Sequence, residues 1–267
     1  MTPTTRQSDK IVLVTGASAG MGKATAIYLA NNGAKAITLF ARRKEQLQQV
    51  AQEIEMHTNT KTLVVVGDVS NDHDMKRAVD ETTKAFGGIT SAFINAGIYR
   101  GGSKLAEVPD DDVNDLLNVN VKGVVYGLRH ILPAIADTVG EQGPTGSVVS
   151  NSSCMGTTVV GPKSAGSGIY SATKAFVNSL VETAAIEYAP RVRINGVMPG
   201  VVRTSIMPVD DDTYNAIGKA LQPLYGRPGE PNEIASLVSF LISDDASFIS
   251  GTNIKADGLW SLSGGGM

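Results

Sequence analysis

Tyr170 and Lys174 stand four residues apart in a stretch, Gly168 to about Tyr188, that is rich in Ala, Leu, Val and Glu and is closed by Pro190. That composition with a proline stop predicts a helix, and at this spacing both side chains project from one face, one turn apart. A phenol beside an ammonium is chemically pointed. The positive charge favours phenolate, lowers the phenol's pKa from about 10 and lets it pass a proton near neutral pH. Alone the pair means little, because Tyr and Lys fall at this spacing on many solvated helix faces. Its weight depends on what the rest of the chain places beside it.

A second feature could hold an anion. Ile11 to Thr15 (IVLVT) is a short β-branched run, as expected of a strand buried on both faces. Gly16-Ala17-Ser18-Ala19-Gly20-Met21-Gly22 follows at once, and Lys23 to Asn32 then reads as a helix closed by Gly33. A strand, a glycine turn and a helix N-terminus present backbone N–H groups and the helix dipole to a phosphate, and a Cβ there would hold a pyrophosphate away. The same residues also match G-x-S-x-G, the nucleophile elbow of serine hydrolases. Such an enzyme needs an acid and then a histidine after its serine. The three histidines are His57, His73 and His130, all in the first half, and Ser18 sits on the first turn of the chain rather than well into the sheet. The nucleotide reading is preferred.

The elements that must position these groups alternate. Ala36 to Phe40 reads as a second strand and runs into Ala41-Arg42-Arg43. In a dinucleotide fold an acid at this point accepts the ribose diol. Here two arginines stand instead, a charge suited to a 2′-phosphate. Leu63 to Gly67, Ile89 to Ile94, Gly146 to Ser150, Arg193 to Val197 and Asn253 to Ala256 read as further strands, separated by helices such as Asn71 to Phe86 and Pro231 to Leu241. Strands alternating with helices of this length predict an α/β fold with a doubly wound parallel sheet of about seven strands in a single domain. Strand C-terminal ends are where such sheets place ligands, so Asn151-Ser152-Ser153 falls at the expected crevice.

Other stretches are expected to do less. A long helix opened by Asp110-Asp111-Asp112 runs through Asn120 to about Leu132 and is apolar on more than one face, which calls for a second partner such as another subunit. Asn120 in that setting is either satisfied structurally or binds water near a site. Thr204 to Leu224 reads as irregular, a candidate lid. His73 among Asp68, Asp72 and Asp74 is read as helix capping rather than a metal site. With 267 residues, a net charge of −3 and no basic run, nucleic acid and anionic membranes are poor partners. One cysteine, Cys154, and no apolar N-terminal segment point to a cytoplasmic protein without an internal disulfide. Residues 1–9 and 261–267 are expected to be loose tails.

Taken together, Thr15-Gly16-x-x-x-Gly20-x-Gly22, Asp68, Asn95-Ala96-Gly97, Asn120, Ser153, Tyr170-x-x-x-Lys174 and Pro199-Gly200 occur in an order that resembles the compact, single-domain branch of the short-chain dehydrogenase/reductase family, from about Lys10 to Trp260. The resemblance implies a Rossmann fold and a tetrad. Tyr170 would be the general acid/base, Ser153 would bond the same substrate oxygen, Lys174 would hold the nicotinamide ribose, and Asn120 would hold a relay water. It also implies cofactor contacts at Gly16, Ser18, Gly20, Met21, Gly22, Asp68, Val69, Asn95, Gly97, Pro199, Gly200 and Thr204. Arg42, read above from its own charge, joins them and favours NADPH over NADH. The expected product is an NAD(P)-dependent oxidoreductase interconverting a carbonyl compound and a secondary alcohol, assembled as a homotetramer or homodimer. A nucleotide-binding regulator that has lost catalysis is the alternative, although all four tetrad members are present.

Three departures stand out. Ser153 and Tyr170 lie farther apart than is usual in the family, with the surplus in Gly161 to Gly168 and Ser152 as the fallback hydroxyl. Position 19 is Ala where NADP-preferring relatives often carry a basic residue. Asp257-Gly258-Leu259 lacks a second glycine.

Overall fold

A computed structural model describes residues 6–141, 145–157, 166–207 and 209–263. The elements run β1 (Ile11–Thr15), α1 (Gly20–Asn31), β2 (Ala36–Ala41), α2 (Lys44–His57), β3 (Lys61–Val66), α3 (Asp72–Phe86), β4 (Ser91–Ile94), α4 (Asp110–Leu116), α5 (Gly123–Val139), β5 (Gly146–Asn151), α6 (Gly168–Glu187), β6 (Val192–Pro199), α7 (Asp211–Leu221), α8 (Pro231–Ile242) and β7 (Asn253–Ala256). The strands form one sheet in the order β3-β2-β1-β4-β5-β6-β7, every neighbouring pair parallel. The chain starts at β1, winds outward to β3, and returns to β4 on the other side of β1. That reversal opens a crevice at the C-terminal ends of β1 and β4.

Alternation along each strand splits the core into two layers. Val12 and Val14 of β1 pack with Ile37 and Leu39 of β2 against Leu29 of α1, Leu47 and Ile54 of α2, and Val238 and Leu241 of α8. Leu13 between them faces the opposite way, into Met75 of α3, Ile131 and Ile135 of α5, and Val177 and Val181 of α6. Helices on both faces explain why the central strands are continuous apolar runs.

Three expectations change. The helix from Asp110 is interrupted: Leu117–Lys122 adopts a π turn between α4 and α5, which places Asn120 inward and fully buried. The stretch from Thr204 to Leu224 is not irregular throughout. Asp210 caps α7 by accepting from the Thr213 amide at 2.8 Å, and Asp211 and Asp212 occupy its first turn, where carboxylates favour the helix dipole. Last, residues 6–9 are docked rather than loose. Gln7 is buried and its side-chain nitrogen donates to the Ser239 carbonyl at 2.9 Å, because α8 offers it a polar seat. Residues 1–5, residues 161–165 of the surplus and the glycine tail lie outside the described residues. At α3, Asn71 accepts from the amides of His73 and Asp74 as a helix cap.

Candidate active site

A cleft of about 460 Å³ runs along the C-terminal ends of the strands. At one end the chain leaves β1 through Gly16, whose φ of +68° is left-handed, and a Cβ there would stand 2.8 Å from the Asn95 amide nitrogen. Gly22 does not line the cleft. A Cβ on it would meet the Gly16 carbonyl oxygen at 2.3 Å, so its role is to let α1 start hard against the turn. The first turn of α1 has no side-chain cap, leaving its N–H groups without a side-chain acceptor among the described residues. Asn95 locks the turn from β4: its amide nitrogen bonds the Thr15 carbonyl at 3.1 Å, and its backbone amide bonds the Thr15 hydroxyl at 2.9 Å.

Around this turn stand the groups expected to meet the adenosine half. Asp68 accepts from the amide and hydroxyl of Ser70, which fixes its carboxylate at the end of β3 beside Val69. Arg42 Nη1 lies 3.7 Å from Asp68 Oδ2 and remains well exposed. Arg43 reaches back to the turn and donates from Nη2 to Ser18 Oγ at 3.0 Å. Arg43 is therefore as much a part of this end of the cleft as Arg42. Met21, Gly97, Pro199, Gly200 and Thr204 also line the cleft. Gly20, at φ +54°, faces Thr204 closely enough that a Cβ would sit 3.2 Å from the Thr204 Cβ.

At the other end Ser153, Tyr170 and Lys174 converge, each buried. Helix α6 supplies Tyr170 and Lys174, and the turn after β5 supplies Ser153. The two serines differ in geometry. Ser152 Oγ donates to the Lys174 carbonyl at 3.0 Å and is spent on α6, whereas Ser153 Oγ accepts from the Met155 amide and lines the cleft beside Tyr170. Lys174 Nζ donates to the Asn151 carbonyl at 2.9 Å and lies 5.7 Å from the centre of the Tyr170 ring. Burial pulls its pKa down to about 8. Burial also pushes the Tyr170 phenol above its ordinary value, offset in part by Ser153. Burial is the dominant influence on the phenol, because taking a phenolate out of water is costly.

Asn120 does not line the cleft; it sits just behind it. Its Oδ1 accepts from the Ile98 amide at 2.9 Å, and its Nδ2 donates to the Ile98 carbonyl at 2.9 Å and to Thr173 Oγ1 at 3.3 Å. Both amide hydrogens are taken, so the side chain is satisfied structurally. A Cβ on Gly97 would stand 3.3 Å from Asn120 Oδ1 and 3.5 Å from Lys174 Nζ, so the glycine keeps open a space within reach of both.

Two further cleft residues carry no motif in the sequence. Asn151 donates to Asn95 Oδ1 at 3.0 Å, tying the two strand ends together, and Tyr99 packs edge-on to Tyr170. Asn151 closes β5 and Tyr99 follows the end of β4, and this position at strand ends is the one signal that points to them. Asn151 Oδ1 and Thr204 Oγ1 are buried without a partner among the described residues. A glycine-lined turn, two orphaned polar atoms and flanking guanidinium groups fit an elongated, hydroxyl-rich, phosphate-bearing dinucleotide.

Comparison with known proteins identifies the family. A family model described as enoyl-(acyl carrier protein) reductase matches residues 16–259. The chain is 36% identical over 263 residues to a glucose 1-dehydrogenase of Gluconobacter oxydans, covering 97% of this chain and 94% of that protein. It is 34% identical over 254 residues to a cyclohexanol dehydrogenase of an Acinetobacter species, covering 95% of each. A crystal structure of a short-chain type dehydrogenase/reductase from Mycobacterium marinum superposes with a TM-score of 0.86 at 31% identity, covering 97% of this chain and 98% of that one. The protein belongs to the short-chain dehydrogenase/reductase family of oxidoreductases. No described helix is long and apolar enough to cross a membrane.

Proposed function

We propose that this chain reduces an uncharged carbonyl compound to a secondary alcohol with NADPH, and runs the reverse oxidation when driven. One observation carries the proposal: a buried phenol, a serine hydroxyl and a lysine converge at one end of a cleft whose other end is a phosphate cradle. The nicotinamide, when bound, supplies or accepts the hydride. Gly16, Ser18, Gly20, Met21, Asp68, Val69, Asn95, Gly97, Pro199, Gly200 and Thr204 would hold the dinucleotide, with Gly22 shaping the turn and Lys174 on the ribose.

Tyr170 is the general acid. A phenol kept protonated by burial can donate to an oxygen that is gaining negative charge, which suits reduction at neutral pH. Ser153 donates to the same oxygen and orients it. The space that Gly97 keeps open between Asn120 and Lys174 suits a water that resupplies the proton. The cleft's tetrad end offers an anionic substrate little: Arg100 is held by Asp112 and Asp115 on α4, and Lys174 is bonded and buried. A neutral ketone fits, consistent with the cyclohexanol of one relative.

The preference for NADPH rests on the end of β2. No carboxylate stands at Ala41, while Arg42 and Arg43 line the cleft and Arg43 already touches Ser18. Charge-assisted bonds to a 2′-phosphate would favour NADPH. Assembly as a homotetramer or homodimer is supported by exposed apolar side chains along the helices behind the site, Leu117 of the π turn and Phe176 and Ile186 of α6.

The test is kcat/KM for NADPH and NADH against a panel of cyclic and linear ketones. Faster turnover with NADH would overturn the cofactor assignment. Tight cofactor binding with no ketone reduced would favour a regulator instead. Light scattering showing only a 27.9 kDa monomer would refute the assembly.

A further inference from the structure

We propose that Tyr99 is the specificity-determining wall of the substrate site and selects which carbonyl compounds can reach the Tyr170 phenol. This rests on the reductase reading above and adds to it the shape of the substrate. The Tyr99 and Tyr170 rings lie 5.1 Å apart at 77°, an edge-to-face contact of the favoured kind. The Tyr99 hydroxyl is 2.8 Å from Ser167 Oγ, and Ser167 is the buried residue that starts α6. Gly101 leaves room for the tip of the ring, since a Cβ there would lie 2.3 Å from the Tyr99 hydroxyl oxygen. The backbone just before the ring is clamped by Asn120 on both its amide and its carbonyl at residue 98.

A ring held this way cannot swing aside cheaply. Moving it breaks the bond to Ser167 and uncovers the buried phenol. Any carbonyl within hydrogen-bond reach of Tyr170 must therefore present one flank to an aromatic surface. Flat or ring-shaped flanks pack well there, and a quaternary carbon beside the carbonyl collides. The neighbouring cation does not compete for this space, because Arg100 turns to α4 and bonds Asp112 and Asp115. The substrate class is a neutral ketone with a slim or cyclic apolar flank.

The test compares cyclohexanone with tert-butyl methyl ketone in the NADP-loaded protein carrying 3-fluorotyrosine. The Tyr170 fluorine resonance is identified by its loss in Tyr170→Phe, and its response to each ketone reports binding without turnover. The native protein should bind cyclohexanone the more tightly. Tyr99→Ala should move the ratio of dissociation constants about tenfold or more toward the branched ketone, with the same change in KM and less in kcat. Tyr99→Phe keeps the ring and should leave the ratio within about twofold. If Tyr99→Ala does not fold, Tyr99→Leu, which keeps bulk and loses the flat face, carries the comparison. An unchanged binding ratio in the Ala or Leu variant overturns the proposal, and so does a Tyr170 resonance that answers to neither ketone. Binding with the expected ratio but no turnover with either cofactor counts against the reductase reading alone.

Discussion

The two ends of the cleft are built on opposite plans. Where β1, β2 and β3 end, recognition rests on backbone geometry and on guanidinium groups in solvent: Arg42 is 69% exposed, and the nearest carboxylate lies 3.7 Å away. Where β5 meets α6, Tyr170 is 8% exposed, Lys174 4% and Asn120 0%, and Lys174 and Asn120 are bonded to the protein. Exposed charges are screened and interact with a ligand by modest amounts. Buried groups have their ionisation set by desolvation, and their geometry cannot relax. On the function proposed above, the first end would select the cofactor and the second would carry the reaction.

Replacing Tyr170 is the harshest way to test that division. Tyr170→Phe keeps the ring and removes the proton donor, so kcat should fall by about two to four orders of magnitude. The NADPH dissociation constant, followed by fluorescence, should stay within about twofold, and near-normal turnover would defeat the assignment.

The buried lysine permits a second test, on stability. Below about pH 8 Lys174 is charged in folded and unfolded chains alike, and the folded chain carries the full cost of burial. Between about 8 and the ordinary 10.5 the unfolded chain holds the proton that the folded one has released, so stability rises with pH across that window. Lys174→Met removes this dependence. In urea titrations the stability of the native protein relative to this variant should grow by about 1–3 kcal/mol between pH 7 and pH 10. A flat difference would show that the ammonium is solvated.

At the exposed end the effects should be smaller and confined to cofactor choice. Arg42→Ala and Arg43→Ala should each lower kcat/KM for NADPH by about tenfold and leave that for NADH nearly unchanged. Ala41→Asp adds repulsion against the phosphate and an acceptor for the diol, and should reverse the preference. Equal losses with both cofactors would mean that the arginines support the turn rather than read the phosphate.

Much of the fold and the site is legible in the chain because the signals are local. IVLVT followed by a glycine turn predicts β1 and the start of α1, and Tyr170 with Lys174 at one-turn spacing predicts a shared face. What the chain hides depends on distant partners. The three aspartates from Asp210 look like irregular chain, although as cap and first turn they begin α7. The burial of the phenol is hidden too, because spacing reveals a neighbour's charge but not the solvent that folding removes. Tyr99 carries no motif of its own, and the residues that seat its ring, Tyr170 and Ser167, lie far along the chain.

Asn120 stands in for a strand that the sheet lacks. A carboxamide is a peptide group on a stalk, with one acceptor and a donor pointing the same way. Beyond Ile94 the chain leaves β4 and loses its neighbours in the sheet, and Asn120 meets residue 98 as the missing strand would, giving and taking one bond each. The π turn is the distortion that brings this surrogate peptide inward. Aspartate could accept but not donate, and glutamine would overshoot. A defect at Asn120 would therefore travel through Ile98 to Tyr99, so that losing a supposed relay residue would also change which substrates fit.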